Sequence, residues 1–510
     1  MKYNNLTPFK WCILQNFPFI EATFDAIDNY QLWCKVVEYL NKTIDKINIL
    51  GLEVEKFENY FNTLDVQDEI NNKLDEMANN GTLQEIISNY LNSKAIFGFN
   101  TINDLKQATN LINGSYAKTL GFYNINDKGG AYYKIRNITN TDVVDNMTKI
   151  SLLDNNLIAE LVIKNPITPE VFGAKGNGID DDTQNIKAMI NYAKNNNLKI
   201  LLQNKYLISE PIIIDYATDI NGIYDKTGFI QNNLNSDVLV ISRKSNVDIR
   251  GISIKNIVLT WSDFPNEGTC GLRIKQNIVG EKDGWGIHES LFERIKIINP
   301  YIGIINEVNE PSWNVDFKSI RIDFAQFQVA DINAGFGINM EIIAIGNSKN
   351  VNVTRGLALN ANFGGTLYFD LEDWQGKAMA CTNGFFALHV KHIHLERCTF
   401  DFSYTAIITT STTTVIFDDI EIYACNFTAT NAYVYLISVY GNSSTSNACV
   451  EVKKVLQSNN TIPETGHFVV IGTAGEIQSC YVWFVGGFPE IYFPSGTSLN
   501  RCYYGINPIQ

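Results

Sequence analysis

Charge is scarce in this chain. Lys, Arg, Asp and Glu make up 18% of its 510 residues, against about 25% in an ordinary soluble protein. The charge present leans acidic, with 40 basic against 54 acidic side chains and a net of −14. That balance repels phosphate backbones and anionic lipid, so no nucleic-acid partner is expected. Proline is thin as well, at 12 residues, about half the usual share. This fits a chain lying largely in ladders that need every backbone N–H. Nine cysteines, at 12, 34, 270, 381, 398, 425, 449, 480 and 502, are odd in number, widely spread and include no Cys-x-x-Cys, which excludes a disulfide framework or a zinc module. No stretch approaches the ~18 apolar residues of a membrane span. The first residues, broken by Pro8 and Pro18, lack the apolar run and cleavage site of a signal peptide, so synthesis and folding in a cytosol are expected. No Gly-Lys-Ser/Thr loop is present, and no cofactor is expected.

Asparagine stands in for the missing charge, at 61 positions. With 45% apolar and 12% aromatic residues a core is assured and disorder is excluded. The length permits two to four globules or one long repetitive domain.

Helices come first. From Trp33 apolar residues recur in steps of four and three, through Val37, Leu40, Ile44, Ile47, Gly51, Val54 and Glu58 to Phe61. Seven of these nine seam positions are apolar, which predicts four heptads of coiled coil, and Ile at both central positions leans towards three or more strands. A second helix is predicted near Val66 to Met77, ending at Asn79-Asn80-Gly81. Thr82-Leu-Gln-Glu85 makes a capping box for a third, Leu83 to Leu91. A small mixed module follows, with a helix start at Thr101-Ile-Asn-Asp-Leu105 and a turn at Asn126-Asp-Lys-Gly-Gly130 feeding the strand-like Ala131-Tyr-Tyr-Lys-Ile135.

Beyond Pro166 and Pro169 stands Val171-Phe-Gly-Ala-Lys-Gly-Asn-Gly-Ile-Asp-Asp-Asp-Thr183, then Ile186, Met189, Ile190 and Ala193, then Tyr206-Leu-Ile-Ser-Glu-Pro-Ile-Ile-Ile214. The glycines allow tight turns, Asp182 or Thr183 can cap a helix, and the 186/189/190/193 stripe would cover the open end of a stack of coils. This segment resembles the start of the pectate-lyase-like right-handed, single-stranded parallel β-helix. Independently, a template of Ile, then Ile or Leu two later, then a bulky apolar residue five further on fits Ile257/Leu259/Phe264, Ile295/Ile297/Ile302, Ile320/Ile322/Phe327, Ile393/Leu395/Phe400 and Ile420/Ile422/Phe427, with a weaker Val455/Ile462. Copies are 38, 25, 73, 27 and 35 residues apart. The shorter separations suit one coil of stacked strands, the longer ones added loops or missed coils. Cys398 and Cys425 would then stack in one interior ladder as small hydrophobes.

The segments Leu6-Thr-Pro-Phe-Lys-Trp11 with Asn16-Phe-Pro-Phe-Ile-Glu21, Asp68-Glu-Ile-Asn-Asn-Lys-Leu-Asp-Glu-Met77, and Thr119-Leu-Gly-Phe-Tyr123 with Gly129-Gly-Ala-Tyr-Tyr133 resemble tail spikes and pre-neck appendage proteins of tailed phages that infect Gram-positive bacteria. The resemblance implies a homotrimer in the virion tail, assembled in the host cytoplasm. It implies docking to other tail or neck proteins through the N-terminal part, and recognition of surface glycan such as teichoic acid or capsule. The expected organisation is a mainly β chain: helical attachment region 1–93, small α+β connector 94–165, parallel β-helix 166–480 and aromatic C-terminal cap or tip 481–510. The last segment carries eight aromatics, among them Trp483 and Tyr503.

Many such relatives also cut glycans, and hydrolysis needs two carboxyls about 5 to 9.5 Å apart. The leading candidate is Gly364-Gly-Thr-Leu-Tyr-Phe-Asp-Leu-Glu-Asp-Trp374. As a strand it points Asp370, Glu372 and Trp374 one way, with the carboxyl-bearing residues ~6.7 Å apart and an aromatic platform for a sugar ring. An exposed acidic strand face is the simpler alternative. A second candidate pairs Asp316 with Asp323, near Arg321. Lys296 and Arg321 occupy equivalent outward slots that suit a phosphate-rich polymer. In His389-Val-Lys-His-Ile-His-Leu-Glu396, the side chains of His392, His394 and Glu396 share a face. Neighbours on one flat strand lie almost ~7 Å apart, too far to converge on one zinc, so no metal is expected. The coil register instead sets His394 beside Glu421. Three readings follow: receptor-binding spike, glycan depolymerase (hydrolase or lyase), and structural virion connector.

Overall fold

The structure, a computed structural model, describes residues 38, 41–43, 45–46, 67–82, 96–162, 164–243, 249–276, 287–307, 312–332, 335–346, 355–359, 363–382, 388–401, 405–410, 414–428, 433–440, 447–452, 455–458, 460–461, 467–474, 476–477, 480–485 and 502–507. The chain divides into two units, Met1–Asn92 and Ser93–Gln510. In the first, helix Gln67–Asn79 ends where the Asn-Asn-Gly stop lies, and Gly81 takes the left-handed φ of +81° that favours glycine there. The heptad seam from Trp33 to Phe61 and the helix expected over 83–91 lie outside the described residues.

The second unit opens with a five-stranded sheet in the order Ile96–Phe99, Tyr116–Thr119, Tyr132–Asn137, Leu157–Leu161, Lys149–Ser151. The first pair is parallel and the others antiparallel. Thr101 caps the short helix Ile102–Lys106 through a reciprocal capping box with Asp104. After the turn Pro169–Phe172 comes helix Thr183–Asn196, whose Ile186, Met189, Ile190 and Ala193 are all buried. Its cap differs from expectation. Asp182 occupies the N-cap position, but its carboxylate accepts the backbone N–H groups of Lys175 and Gly176, and Asp181 takes the N–H of Thr183 instead.

From there the chain winds as a parallel β-helix, passing mainly between two all-parallel sheets that hold 21 and ten strands among the described residues. In the ten-stranded sheet, Ile212, Leu239, Leu272, Ile304, Ala330, Leu357, Met379, Ile407, Ile437 and Ile471 stand in one register line. Successive members lie between 22 residues apart (Leu357 to Met379) and 34 (Ile437 to Ile471). In the larger sheet a second line runs Ile320, Ile342, Phe369, Ile393, Ile420, Val455, Phe484, Ile506. The 73-residue gap in the template therefore holds two more coils, around Ile342 and Phe369. They broke the pattern because Ala344 and Phe369 stand where it demands Ile or Leu.

Six consecutive coils leave this ladder through a residue of left-handed φ at the same register position: Asn299, Phe324, Gly346, Asp373, Arg397 and Ala424. Such a residue interrupts the in–out alternation of a strand, and the residue after it turns inward. Pro300, Ala325, Trp374, Cys398 and Cys425 are accordingly all buried. Phe400 and Phe427, register partners one turn on, pack at 4.9 Å between ring centroids.

Candidate functional site

The strand predicted over residues 364–374 forms as Phe363–Glu372. Phe369 and Leu371 point into the core, and Asp370 and Glu372 face outward, partly exposed. Trp374 does not join them. It is 1% exposed, because Asp373 (φ +52°) reverses the alternation and delivers the indole to the interior ladder that also holds Cys398 and Cys425. The expected sugar platform at Trp374 is thus a core side chain. Tyr368, 47% exposed, is the outward aromatic of the same strand.

Stacking fills in the rest of this face. Asp370, His394 and Glu421 are register partners on three successive coils, as are Glu372, Glu396 and Tyr423. The next strand, Leu388–Glu396, carries a bulge opposite Tyr368, which places both Lys391 and His392 outward. The result is a continuous charged network. His389 Nε2 and Lys391 Nζ meet Asp418 Oδ2 at 2.7 and 3.1 Å. His392 lies between Asp370 (3.7 Å) and Asp419 (3.4 Å). His394 lies between Glu421 and Glu396, both at 3.4 Å, with its ring centroid 5.5 Å from that of Tyr423. Arg397 closes one end, donating to Glu372 (3.0 Å), Asp373 (2.7 Å) and Glu396. Burial pushes the Asp370 carboxyl above the ordinary carboxylate range, partly offset by His392 and His394. Chemically, the face offers carboxylates and imidazoles to hydroxyl groups, beside the ring of Tyr423. His392, His394 and Glu421 also offer one ligand atom each, all within 4.8 Å of one another.

The second candidate comes apart. Asp316 and Asp323 sit on two limbs of the strand Ser312–Asp323, on either side of an irregularity between Phe317 and Ile320. Asp316 pairs with Lys318 and Asn339, both at 2.8 Å, whereas Asp323 pairs with Arg321 at 2.9 Å. Lys296 and Arg321 are register partners, but Lys296 binds Asp225 at 2.9 Å and approaches Asp323 at 3.8 Å. The two cations therefore already have carboxylate partners.

Arg397, Asp418, Asp419 and Tyr423 were not anticipated from the sequence. Aligning the Ile393 and Ile420 copies of the coil template places Asp418 and Asp419 beside Lys391 and His392, so the repeat itself carried the signal.

No protein-family model and no curated protein matches the chain. Among solved structures, the gp42 tailspike of Acinetobacter phage vb_AbaP_AS12 is similar over 82% of this chain and 75% of its own, at 14% identity and a TM-score of 0.41. The tailspike of Acinetobacter phage vB_ApiP_P1 is similar over 77% of this chain and 66% of its own, at 13% identity and 0.46. Tailspike gp49 of the Acinetobacter baumannii phage Fri1, a capsular polysaccharide depolymerase, is similar over 79% and 75%, at 10% and 0.43. The chain spans just under two thirds of the second of these.

Proposed function

We propose that this chain is a tail spike or appendage protein of a tailed phage that mediates adsorption to a host surface glycan, a teichoic acid or capsule-like polymer. The observation that carries the reading is the outward network on three consecutive coils, from Asp370 and Glu372 through His392, His394 and Glu396 to Glu421 and Tyr423. Rigid parallel rungs hold its hydrogen-bonding groups and aromatic rings at about 4.8 Å steps, a spacing suited to sugar hydroxyls. In this reading residues 1–93 form a coiled-coil attachment to the virion, 94–165 connect, 166–480 present the glycan face and 481–510 close the stack, three copies making the spike. The closing role is supported by strands Cys480–Val485 and Cys502–Asn507, which add parallel rungs beyond Val455–Ser458. Lys296 and Arg321 are a weaker foothold for phosphate, being already paired. The test is titration of purified full-length chain with fractionated host wall polymers. Saturable binding without product, weakened by Tyr423→Ala and by Glu372→Gln, is expected; a chain that neither binds nor cleaves any fraction would sink the reading.

A depolymerase is the second reading, favoured by Asp370 and Glu372 sharing one outward face at i, i+2, with the residues ~6.7 Å apart along the strand, within the range from which two carboxyls can serve inverting hydrolysis. New reducing ends or unsaturated products, lost in Asp370→Ala and in Glu372→Ala, would distinguish it from binding alone.

A further inference from the structure

We infer that His392, His394 and Glu421 bind one divalent transition-metal ion of the zinc class, bridging two consecutive coils of the β-helix. The chain has only five histidines, and three of them lie on the single strand Leu388–Glu396. On a flat strand His392 and His394 would stand too far apart to share an ion. Two features of the stack ease that obstacle. The bulge at Lys391 and His392 leaves both side chains outward, so His392 stands beside His394 with the rings stacked at 6.3 Å between centroids, and the third ligand comes from the neighbouring coil, where Glu421 is the register partner of His394. One ring nitrogen of each histidine and one Glu421 oxygen consequently lie within 4.8 Å of one another.

The spacing is compatible with coordination. His394 Nδ1 is 3.4 Å from Glu421 Oε2, a long hydrogen bond as it stands. It matches the ~3.4 Å edge of a tetrahedron whose metal–ligand bonds are ~2.0–2.2 Å. His392 Nε2 faces Asp370 Oδ1 at 3.7 Å. Further carboxylates stand beside the same rings, Asp419 at 3.4 Å from His392 Nδ1 and Glu396 at 3.4 Å from His394 Nε2. A carboxylate behind each histidine fixes its tautomer and strengthens it as a ligand, the usual outer arrangement of a protein zinc site. Two imidazoles and one carboxylate suit zinc, nickel, cobalt or copper better than calcium or magnesium, which take all-oxygen sets. The ligand side chains are 22% to 28% exposed, open enough for an ion to enter. His389 stands outside the site, its Nε2 held at 2.7 Å by Asp418.

The inference goes beyond the glycan reading, and metal binding is measured with no glycan present, so either can fail alone. The experiment uses untagged full-length chain, stripped with chelator and titrated separately with Zn²⁺ and with Co²⁺, whose visible bands report four- or five-fold coordination. One ion per chain is expected. His394→Gln and Glu421→Gln should each weaken it at least tenfold, Asp419→Asn by about 10- to 100-fold as for other outer-shell partners, and His389→Gln should leave it unchanged. Should a variant melt below the parent, diethyl pyrocarbonate labelling of the unaltered chain decides: Zn²⁺ should protect His392 and His394 and leave His389 reactive. No retained ion, wild-type affinity in His394→Gln, or equal labelling of all three histidines with and without Zn²⁺ would each overturn the site.

Discussion

At the scale of single residues, position relative to the left-handed stop at the end of each rung decides whether a side chain is structure or surface. Trp374 follows that stop and lies in the core. Trp374→Ala should therefore cost about 3–5 kcal/mol in denaturant unfolding. Tyr368→Ala, at an exposed site, should change stability by less than about 0.5 kcal/mol. If the two substitutions destabilised equally, the inward assignment of Trp374 would be wrong. A second residue-scale prediction concerns Asp142, whose side chain is 3% exposed and bonded by Arg136 and Lys149, each at 2.7 Å. Hydrogen bonds from Arg136, then Lys149 and the backbone of Thr139, hold its carboxyl well below the usual carboxylate range. A depressed folded pKa contributes stability that is present above the unfolded value, near pH 3.9, and is lost as the pH falls towards the folded one. Unfolding midpoints measured from neutral pH to about pH 3 should thus fall less steeply in Asp142→Asn than in the parent. Parallel pH profiles would show that Asp142 carries none of the dependence.

At the scale of elements, the strands hold their register through close backbone approach as well as through apolar ladders. Gly365 has φ +154°, and a Cβ built there would lie 1.9 Å from the carbonyl oxygen of Ile338 on the preceding rung. Gly365→Ala must displace backbone on a strand next to the candidate site. It should lower the unfolding free energy by about 1–3 kcal/mol and weaken any binding at Asp370 and Glu372; an unchanged melting curve would contradict this close packing. Strand existence and register were legible in the sequence, because alternating Ile and Leu at a recurring interval is the direct imprint of stacked rungs. The Ile393/Leu395 and Ile420/Ile422 copies pair as their spacing requires. The coils at Ile342 and Phe369 were hidden by Ala344 and by Phe at an Ile position, since an interior ladder selects for volume in three dimensions rather than for one residue type.

At the scale of the whole molecule, a solenoid draws its stability from contacts between neighbouring coils, so an exposed last rung is a liability. Deleting residues 481–510 removes most of strand Cys480–Val485, which pairs with Val455–Ser458, and strand Cys502–Asn507, which pairs with it in turn. The truncated chain should self-associate or lose the proposed trimer in size-exclusion chromatography with light scattering. A stable trimer that no longer binds host wall would instead make the segment a glycan-binding tip. The linear order of residues was sufficient to determine a stack of parallel coils, the helix that starts it, and the pairing of His394 with Glu421. It did so because each depends on periodicity or on a fixed offset between coils. Only the tertiary structure decided that Trp374 is core, that Lys296 and Arg321 are already neutralised, and that His392, His394 and Glu421 converge. Those outcomes depend on a left-handed residue, on partners 71 residues away such as Asp225, and on a one-residue bulge. Each is a local departure from regular alternation, which periodicity by its nature cannot encode.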